Sequence, residues 1–137
     1  MAPPKKLKFK TPAKINLGLH IHKKRDDGFH ELESLFQMVG WYDEVELEET
    51  QENVELFCDT PGIPNDETNL VVKAARLLQN RCPGKCGGVK ITLKKNIPSG
   101  AGLGGGSGNA AGVLLALNII WNLKIPRGDL ISMASEL

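Results

Sequence analysis

A glycine-rich segment at residues 97–111 constrains this chain more than any other feature. It reads IPSGAGLGGGSGNAA, and six of the nine positions from Gly100 to Gly108 are glycine. An apolar segment typical of a β-strand ends at Leu93, and an apolar segment typical of a helix runs on to Trp121. Because glycine loses much backbone entropy on folding, so dense a run needs a reason, and tight packing alone would need fewer glycines. We predict a loop whose amides bind phosphate together with the positive end of the following helix.

The type of phosphate loop is narrowed by what surrounds the glycines. A Walker loop requires a lysine directly after its last glycine, and here the next lysine is Lys124. A dinucleotide fingerprint is formally present at Gly100, Gly102 and Gly105, but residues 96–99 separate it from its strand, and no acidic residue follows at the expected distance. Both common loop types are therefore disfavoured.

Composition and charge exclude several other functions. The chain has 137 residues, enough for one domain, and a formal net charge of +1 gives no bulk electrostatic reason to expect a nucleic-acid or membrane partner. No apolar run reaches the roughly 18 residues of a membrane span. The basic start, Lys5 to Lys10, alternates with apolar residues, which favours a strand over a targeting peptide.

Cysteine and histidine positions do not predict a metal site. Cys82 and Cys86 form one pair without a second, and the Pro-Gly-Lys between them is typical of a surface turn. His20 and His22 share a strand face but lack a third ligand at a sensible spacing. An odd total of three cysteines without a secretory signal predicts a reducing, cytoplasmic setting.

The remaining pattern predicts strands followed by alternating helices and strands. Two alternating segments at 14–39 predict a long hairpin around the turn at 25–28, preceded by a short strand that Pro12 either interrupts or places at a sheet edge. Further strands are predicted at 45–49, 54–58 and 89–93. Helices are predicted from a cap at Thr68 or Asp66 through Asn80, from Ser107 or Gly108 to about Leu123, and from 126 onward, the last still running at Leu137.

Four segments in order resemble one family. Residues 98–111 are similar to the nucleotide loop of the GHMP small-molecule kinases, which include galactokinase, homoserine kinase and mevalonate kinase. The Gly-Leu-Gly-Gly-Gly-Ser form resembles the diphosphocytidyl-methylerythritol kinase branch, as do the segments PAKINL at 12–17, RDDGFHEL at 25–32 and NLVVKAA at 69–75. The resemblance implies an α+β fold of the ribosomal protein S5 domain 2-like type, with a mostly antiparallel sheet and helices packed on one side.

The resemblance also implies an activity and assigns residues to it. It implies ATP-dependent phosphorylation, with Mg²⁺, of the 2-hydroxyl of 4-diphosphocytidyl-2-C-methyl-D-erythritol, a small-molecule substrate. Lys14 and Asn16 match catalytic positions, and Phe29 and His30 match the pair that binds the substrate's nucleobase. The positions that match ATP binding are Asn69, Leu70, Lys95, Pro98, Ser99, Gly100, Ala101, Gly102, Leu103, Gly104, Gly105, Gly106, Ser107, Gly108 and Asn109.

Each of these side chains also has a simpler interpretation. Outside its motif, Lys14 would be an exposed lysine on an edge strand, where a compact ammonium could still stabilise charge that develops in phosphoryl transfer. Phe29 would be a core residue at a hairpin bend, and His30 an exposed residue at a strand start. Phe29 stands where the family commonly has tyrosine, and Gly108 where it usually has a second serine, which leaves Ser107 as the single hydroxyl there.

The resemblance covers about the N-terminal half of the family's length. The family's catalytic aspartate lies in a Gly-x-Asp-Val-Pro-Phe motif directly after the helix that here ends at Leu137, and Asp129 precedes that helix. We therefore expect residues 1–137 to form the N-terminal, ATP-binding domain without the C-terminal domain, and to show little turnover alone. The alternatives are another GHMP kinase, of the homoserine or mevalonate type, or a non-catalytic nucleotide-binding module.

Overall fold

The computed structural model describes residues 2–137 as one mixed sheet with helices against it. The elements in chain order are β1 (Lys6–Lys24), β2 (His30–Thr50), β3 (Val54–Phe57), α1 (Leu70–Arg81), β4 (Gly88–Lys94), α2 (Gly105–Ile120) and α3 (Arg127–Ala134). The strand order is β1-β2-β4-β3, with β1–β2 and β2–β4 antiparallel and β3–β4 parallel. The predicted α+β fold with a mostly antiparallel sheet is confirmed.

Alternating side chains give the sheet one apolar face and one charged face. Val45 and Leu47 of β2 and Val89, Ile91 and Leu93 of β4 are buried in a core that they share with α1, α2 and α3. The residues between them are mainly glutamate and lysine. Since a strand points successive side chains to opposite faces, this pattern places the helices on one side of the sheet.

The charged face explains the basic start of the chain. Lys6 pairs with Glu46 at 2.9 Å and Lys8 pairs with Glu44 at 3.5 Å across the β1–β2 ladder. These exposed pairs each contribute little to stability, because water screens them. Their position supports the interpretation of this segment as a strand with one wet face.

Pro12 does not break β1. The strand runs through it as the edge of the sheet, and the β1–β2 register shifts between Pro12 and Ala13. An edge position suits proline because its missing amide proton removes no bond from the interior of the sheet. Of the two predicted possibilities for Pro12, the edge position is the one observed.

Residues 14–39 form a two-stranded arm that extends beyond the helices. Along this arm Leu17, Ile21, Leu35 and Met38 are each more than half exposed. The predicted alternation is present, but neither face of the arm is buried within the described residues. The alternation therefore predicted the strand conformation correctly but did not show whether the apolar side chains are buried.

The ends of the helices differ from the prediction, beginning with the cap of α1. Helix α1 is capped by Asn69, whose side chain accepts from the amide of Val71 at 3.1 Å, and not by Thr68 or Asp66. The Asp66 carboxylate instead accepts from the amide of Thr68 at 2.9 Å in the preceding turn. Each of these polar residues could cap a helix, so only the path of the backbone selects among them.

Helix α2 begins two residues earlier than Ser107, at Gly105, and ends at Ile120, before Leu123. Gly104 caps it in a left-handed conformation that glycine adopts without steric cost. Helix α3 ends at Ala134 and is followed by a turn, so the prediction that it continues to Leu137 is wrong.

Gly88 marks the point where β4 passes closest to its neighbours. A Cβ at this position would lie 2.6 Å from the backbone N and O of Asn53. Gly40 in β2 has no atom within 4 Å of such a Cβ. The two glycines offer a matched pair, one enclosed by backbone and one open.

We expect Gly88→Ala to lower the free energy of unfolding by about 1–3 kcal/mol, because backbone cannot yield as a side chain can. Gly40→Ala should leave it unchanged or raise it by up to about 1 kcal/mol, since alanine reduces the entropy of the unfolded chain. Urea denaturation of both variants measures this. Equal losses for the two would contradict the packing argument.

Candidate phosphate-binding site

The glycine-rich loop presents the uncapped N-terminus of α2. Gly100, Gly102 and Gly104 have φ values of +72°, +74° and +71°, and Gly104 makes no side-chain cap bond to the helix. The amides of the first helical turn therefore have no capping side chain. This end of α2 also carries the positive end of the helix dipole, so backbone alone makes it an anion-binding surface.

Lys14 of β1 lies directly against this helix end. Its amide donates to the carbonyl oxygen of Leu103 at 2.9 Å, and its side-chain Cγ lies 3.0 Å from where a Cβ on Gly104 would be. Its Nζ donates to Asn16 Oδ1 at 3.1 Å and sits 5.0 Å from the centre of the Phe36 ring. Lys14 and Asn16 thus share one strand face, as the alternation predicts.

Lys95 also lies against this helix end, beside Gly105. Its Nζ lies 3.1 Å from where a Cβ on Gly105 would be. It donates to the Asp43 carboxylate and, at 3.0 Å, to Asn109 Oδ1, and its side chain is only 6% exposed. The charge of Lys95 is therefore compensated inside the protein. Within residues 2–137, the Lys14 ammonium contacts only the amide oxygen of Asn16 and the ring of Phe36.

Asp43 is the fully buried carboxylate at the base of the site. Its Oδ1 accepts from the amides of Asn96 at 2.7 Å and Ile97 at 2.8 Å, and its Oδ2 accepts from Asn109 Nδ2 at 3.0 Å and from Lys95. Burial by itself would raise the pKa of Asp43. The hydrogen bonds from Ile97, Lys95, Asn96 and Asn109 outweigh burial and hold the pKa below its ordinary value of 3.8.

Asn109 connects this buried carboxylate to β1. It lies in α2, is 1% exposed, and donates to Thr11 Oγ1 at 2.6 Å as well as to Asp43. The side chain predicted to contact nucleotide is therefore committed to the protein interior. Its contribution to binding a ligand would come through the position of the helix.

The start of α1 closes one side of the loop. A cavity of about 180 Å³ lies between Asn69 and Leu70 on one side and Ser99, Gly106 and Lys95 on the other. Asn69 uses its amide group locally, because Oδ1 caps α1 and Nδ2 donates to the carbonyl of Pro64 at 2.9 Å. Asn69, Leu70 and Lys95, which were predicted to bind ATP, thus line one cavity together with residues of the glycine-rich segment.

Phe29 and His30 lie apart from this cluster, at the tip of the arm. Phe29 is 73% exposed, so the alternative of a core residue is wrong, and His30 pairs with Lys24 at the first position of β2. Lys14 pairs with Met38, eight positions further along β2, which places it roughly 25 Å from the tip at the usual rise of a strand. The structure brings Lys14, Asn16 and the loop together, and leaves Phe29 and His30 outside that group.

Within residues 2–137, no group of three or more His, Cys, Asp or Glu side chains is arranged so that it could hold a metal ion. His22 contacts Glu33 at 3.4 Å on the arm, and the rings of His20 and His22 stack at 6.3 Å.

Among residues 2–137, none of the helices is long and apolar enough to cross a membrane.

Sequence analysis missed Asp43, Thr11 and Phe36. Asp43 had a usable signal, because it lies two residues before Val45 and four before Leu47 and so falls on the buried face of the same strand. A carboxylate at such a position must be paired or bonded. Thr11 and Phe36 carried no comparable signal, since their contacts join segments distant in sequence.

Comparison with known proteins identifies the family. A model of the GHMP kinases N terminal domain matches residues 69–137, just over half of the chain. The chain belongs to the GHMP kinase N-terminal domain family. The matched segment includes α1, the glycine-rich loop, α2 and α3, whereas Lys14, Asn16 and Asp43 lie outside it.

Two curated relatives of this GHMP kinase domain carry the same name. A protein of Acaryochloris marina named 4-diphosphocytidyl-2-C-methyl-D-erythritol kinase is 50% identical over 130 residues, which cover 94% of this chain and 42% of that protein. A protein of the same name from Colwellia psychrerythraea is 48% identical over 134 residues, 97% of this chain and 44% of that protein. The chain spans less than half the length of these relatives.

Solved structures agree with the family. A crystal structure of 4-(cytidine 5'-diphospho)-2C-methyl-D-erythritol kinase matches with a TM-score of 0.79 and 37% identity, over 95% of this chain and 45% of that one. Homoserine kinase from Cytophaga hutchinsonii matches with a TM-score of 0.69 and 23% identity, over 99% of this chain and 42% of that one. The second likeness concerns the fold alone.

The lowered pKa of Asp43 predicts a pH-dependent stability. The ionised carboxylate stabilises the folded state fully above its ordinary pKa of 3.8, and this contribution is lost as the pH falls through the lower folded value. The free energy of unfolding should therefore differ between wild type and Asp43→Asn by a constant amount above about pH 5, with the gap narrowing toward about pH 2. Urea denaturation across this range measures the gap. A gap that stays constant throughout would contradict the assignment.

Proposed function

We propose that this chain is the nucleotide-binding part of a kinase that transfers a phosphoryl group from ATP to the 2-hydroxyl of 4-diphosphocytidyl-2-C-methyl-D-erythritol. That reaction belongs to the methylerythritol phosphate route of isoprenoid biosynthesis. The observation that carries the proposal is the meeting of the Lys14 ammonium, which forms no ion pair within residues 2–137, with the uncapped N-terminus of α2. The names of the relatives at 50% and 48% identity support the choice of substrate.

The residues present fit the triphosphate of ATP. No atom lies within 4 Å of where a Cβ on Gly100 or Gly102 would be, so the loop is open toward solvent on that side. Backbone amides from Gly100 to Ser107 would hold phosphate oxygens, and the cavity beside Asn69 and Leu70 would receive the adenosine. Bound ATP supplies the phosphoryl group, and Mg²⁺ neutralises charge on its phosphates.

The donor set also bears on how Mg²⁺ would be held. The described residues offer no acidic cluster, and Ser107 contributes one hydroxyl in the first turn of α2. A metal with so few protein ligands fits an ion carried mainly by phosphate oxygens and water, which is usual for Mg²⁺. Ser107 is the residue we propose as its contact in this part of the protein.

Lys14 would act on the charge that develops during transfer. A lysine ammonium beside a helix N-terminus stabilises negative charge on the moving phosphoryl group and lowers the pKa of a nearby hydroxyl. Asn16 holds the ammonium from one side and the Phe36 ring faces it from another, so the side chain has few alternative positions. Fixing the cation in advance avoids reorganisation during the reaction.

A further domain would complete the site. The resemblance places the base that removes the hydroxyl proton beyond Leu137, and the relatives are more than twice as long as the region that they share with this chain. Leu115 and Ile119 of α2 and Ile131 of α3 are each about half exposed or more, and a groove of about 560 Å³ runs between α2 and β1. Apolar surface of this kind supports the proposal that residues 1–137 are an N-terminal domain that packs against a second one.

Phe29 and His30 would bind the cytosine end of the substrate. An exposed aromatic face suits base stacking, and an imidazole suits the edge of a base. Because these residues lie roughly 25 Å from Lys14 along the strand, a substrate that reaches both sites requires the arm to bend toward the loop. The register shifts at Asn16–Gly18 and Ile21–Lys24 are places where the arm can bend.

Two alternatives remain distinguishable from this proposal. Another GHMP kinase would use Lys14 and the loop but would not depend on Phe29 and His30. A non-catalytic nucleotide-binding module would bind ATP and tolerate replacement of Lys14. The cytoplasmic setting expected from the cysteine count stays a prediction.

The first experiment measures phosphoryl transfer by this chain joined to the C-terminal half of the Acaryochloris marina relative. We expect the joined protein to phosphorylate 4-diphosphocytidyl-2-C-methyl-D-erythritol, and the chain alone to be slower by at least about 10²–10⁴-fold because it lacks the base. Lys14→Met should lower kcat about 10²–10³-fold.

Lys10→Met is the matched control, since Lys10 precedes Lys14 on β1 and faces the Tyr42 ring at 5.9 Å, much as Lys14 faces Phe36. It should leave kcat unchanged. A Lys14→Met protein with normal kcat would contradict the catalytic role and favour the binding module.

The second experiment asks whether the arm tip recognises cytidine. We expect Phe29→Ala and His30→Ala in the joined protein to raise KM for the diphosphocytidyl substrate about 10-fold with little change in kcat, because stacking on a base is lost. Phe57→Ala removes another exposed ring, on β3, and should leave KM unchanged. An unchanged KM in the arm variants would favour another GHMP kinase activity.

A further inference from the structure

The carboxylate of Asp43 lies in the protein interior, where an ionised group is energetically unfavourable. It is fully buried, on the same inward face of β2 as Val45 and Leu47. An isolated ionised carboxylate in such surroundings is strongly unfavourable, so it persists only where several donors surround it. The donors around Asp43 indicate what it holds in place.

Those donors come from the two ends of the glycine-rich loop. Asn96 and Ile97, where the chain enters residues 98–108, donate their amides to Oδ1 at 2.7 and 2.8 Å. Asn109, where the chain leaves residues 98–108, donates to Oδ2 at 3.0 Å, and Lys95 donates to the same oxygen. One carboxylate therefore joins the entry of the loop to its exit.

Residues 98–108, between these ends, have little intrinsic conformational stability. Residues 98–108 contain six glycines, three of them at positive φ, and Cβ atoms at Gly100 and Gly102 would contact nothing. A glycine-rich backbone has much conformational freedom to lose when it orders. Few side-chain contacts within the loop can offset that loss, so the ends must be fixed from outside.

The carboxylate also fixes the position of a cation. Lys95 Nζ is held between Asp43 and Asn109, 3.1 Å from where a Cβ on Gly105 would be. Without Asp43, this buried ammonium would lose its counter-charge and move toward solvent. The first turn of α2 would then lose its support on that side.

We propose that Asp43 is a positioning residue that clamps the entry and exit of the glycine-rich loop, so that its amides are ordered for a phosphate group before the ligand arrives. The ordering of the loop follows from the contacts above, and the phosphate as its ligand rests on the proposed function. A purely structural role would instead stabilise the whole domain without a selective effect on the loop.

The test compares Asp43→Asn with Glu44→Gln by hydrogen exchange of the ligand-free chain. Asparagine keeps the size and one oxygen of Asp43 but presents its amide group to donors and removes the charge. The bonded amides that border the loop, those of Lys14, which donates to Leu103 O, and Gly108, which donates to Gly104 O, should exchange about 10-fold faster or more in Asp43→Asn, while amides of α1 and β4 change much less. Glu44→Gln makes the same charge change at the neighbouring residue, which pairs with Lys8 on the other face, and should leave the loop unchanged.

The second measurement separates phosphate binding from nucleoside binding. Calorimetry should show that Asp43→Asn weakens ATP binding about 10-fold while adenosine binding changes less than about twofold. A merely structural defect would weaken both ligands alike. Failure of wild type to bind ATP would overturn the proposed function, and the exchange of the loop amides would still decide whether Asp43 orders the loop.

A further variant covers the case in which Asp43→Asn does not fold. Asn109→Ala removes the exit contact, together with the bonds of Asn109 to Lys95 and Thr11, and leaves Asp43 bonded to Asn96, Ile97 and Lys95. Exchange should then accelerate at Gly108 and stay unchanged at Asn96 and Ile97, whose amides still donate to Asp43. If loop amides exchange at the wild-type rate in every folded variant, or if all regions accelerate equally, the proposal is overturned.

Discussion

The buried carboxylate of Asp43 is the interaction on which the site depends. Strand β2 carries it inward, β4 and the following turn bring Lys95, Asn96 and Ile97 to it, and α2 brings Asn109. Since a lone buried charge is unfavourable, these elements must assemble together for any one of them to be stable in place. The contacts that stabilise this one carboxylate therefore also hold the two ends of the glycine-rich loop together.

The two lysines beside α2 have different electrostatic positions. Lys95 is buried and compensated by Asp43, so it supports the helix end without adding net charge. Lys14 contacts Asn16 and Phe36, which leaves its charge available to a ligand. With a formal net charge of only +1, the chain has no general attraction for anions, and affinity for phosphate must come from this local arrangement.

The arm shows why an alternating pattern predicts conformation more reliably than burial. Ile21 and Leu32 alternate with polar residues as they would in a covered sheet, yet they are 65% and 55% exposed. Alternation records which residues share a face, but whether that face is covered depends on what packs against it. Among residues 2–137, the helices lie over the other end of the sheet, and the arm extends past them.

The sequence by itself determined the glycine-rich loop between a strand and a helix and the common face of Lys14 and Asn16, and its resemblance to a known family implied the fold class. The loop and the common face follow from local rules, because period, glycine content and alternation act over a few residues. Sequence alone did not select Asn69 over Thr68 and Asp66 as the cap of α1, nor reveal that Asn109 points into the interior.

Only the tertiary structure decided that Asp43, Thr11 and Asn109 meet, and that Phe29 and His30 stand apart from Lys14. The physical reason is that these relations join segments between roughly 15 and 100 residues apart in the chain. The packing of helices on a sheet sets such distances, and no local pattern contains them.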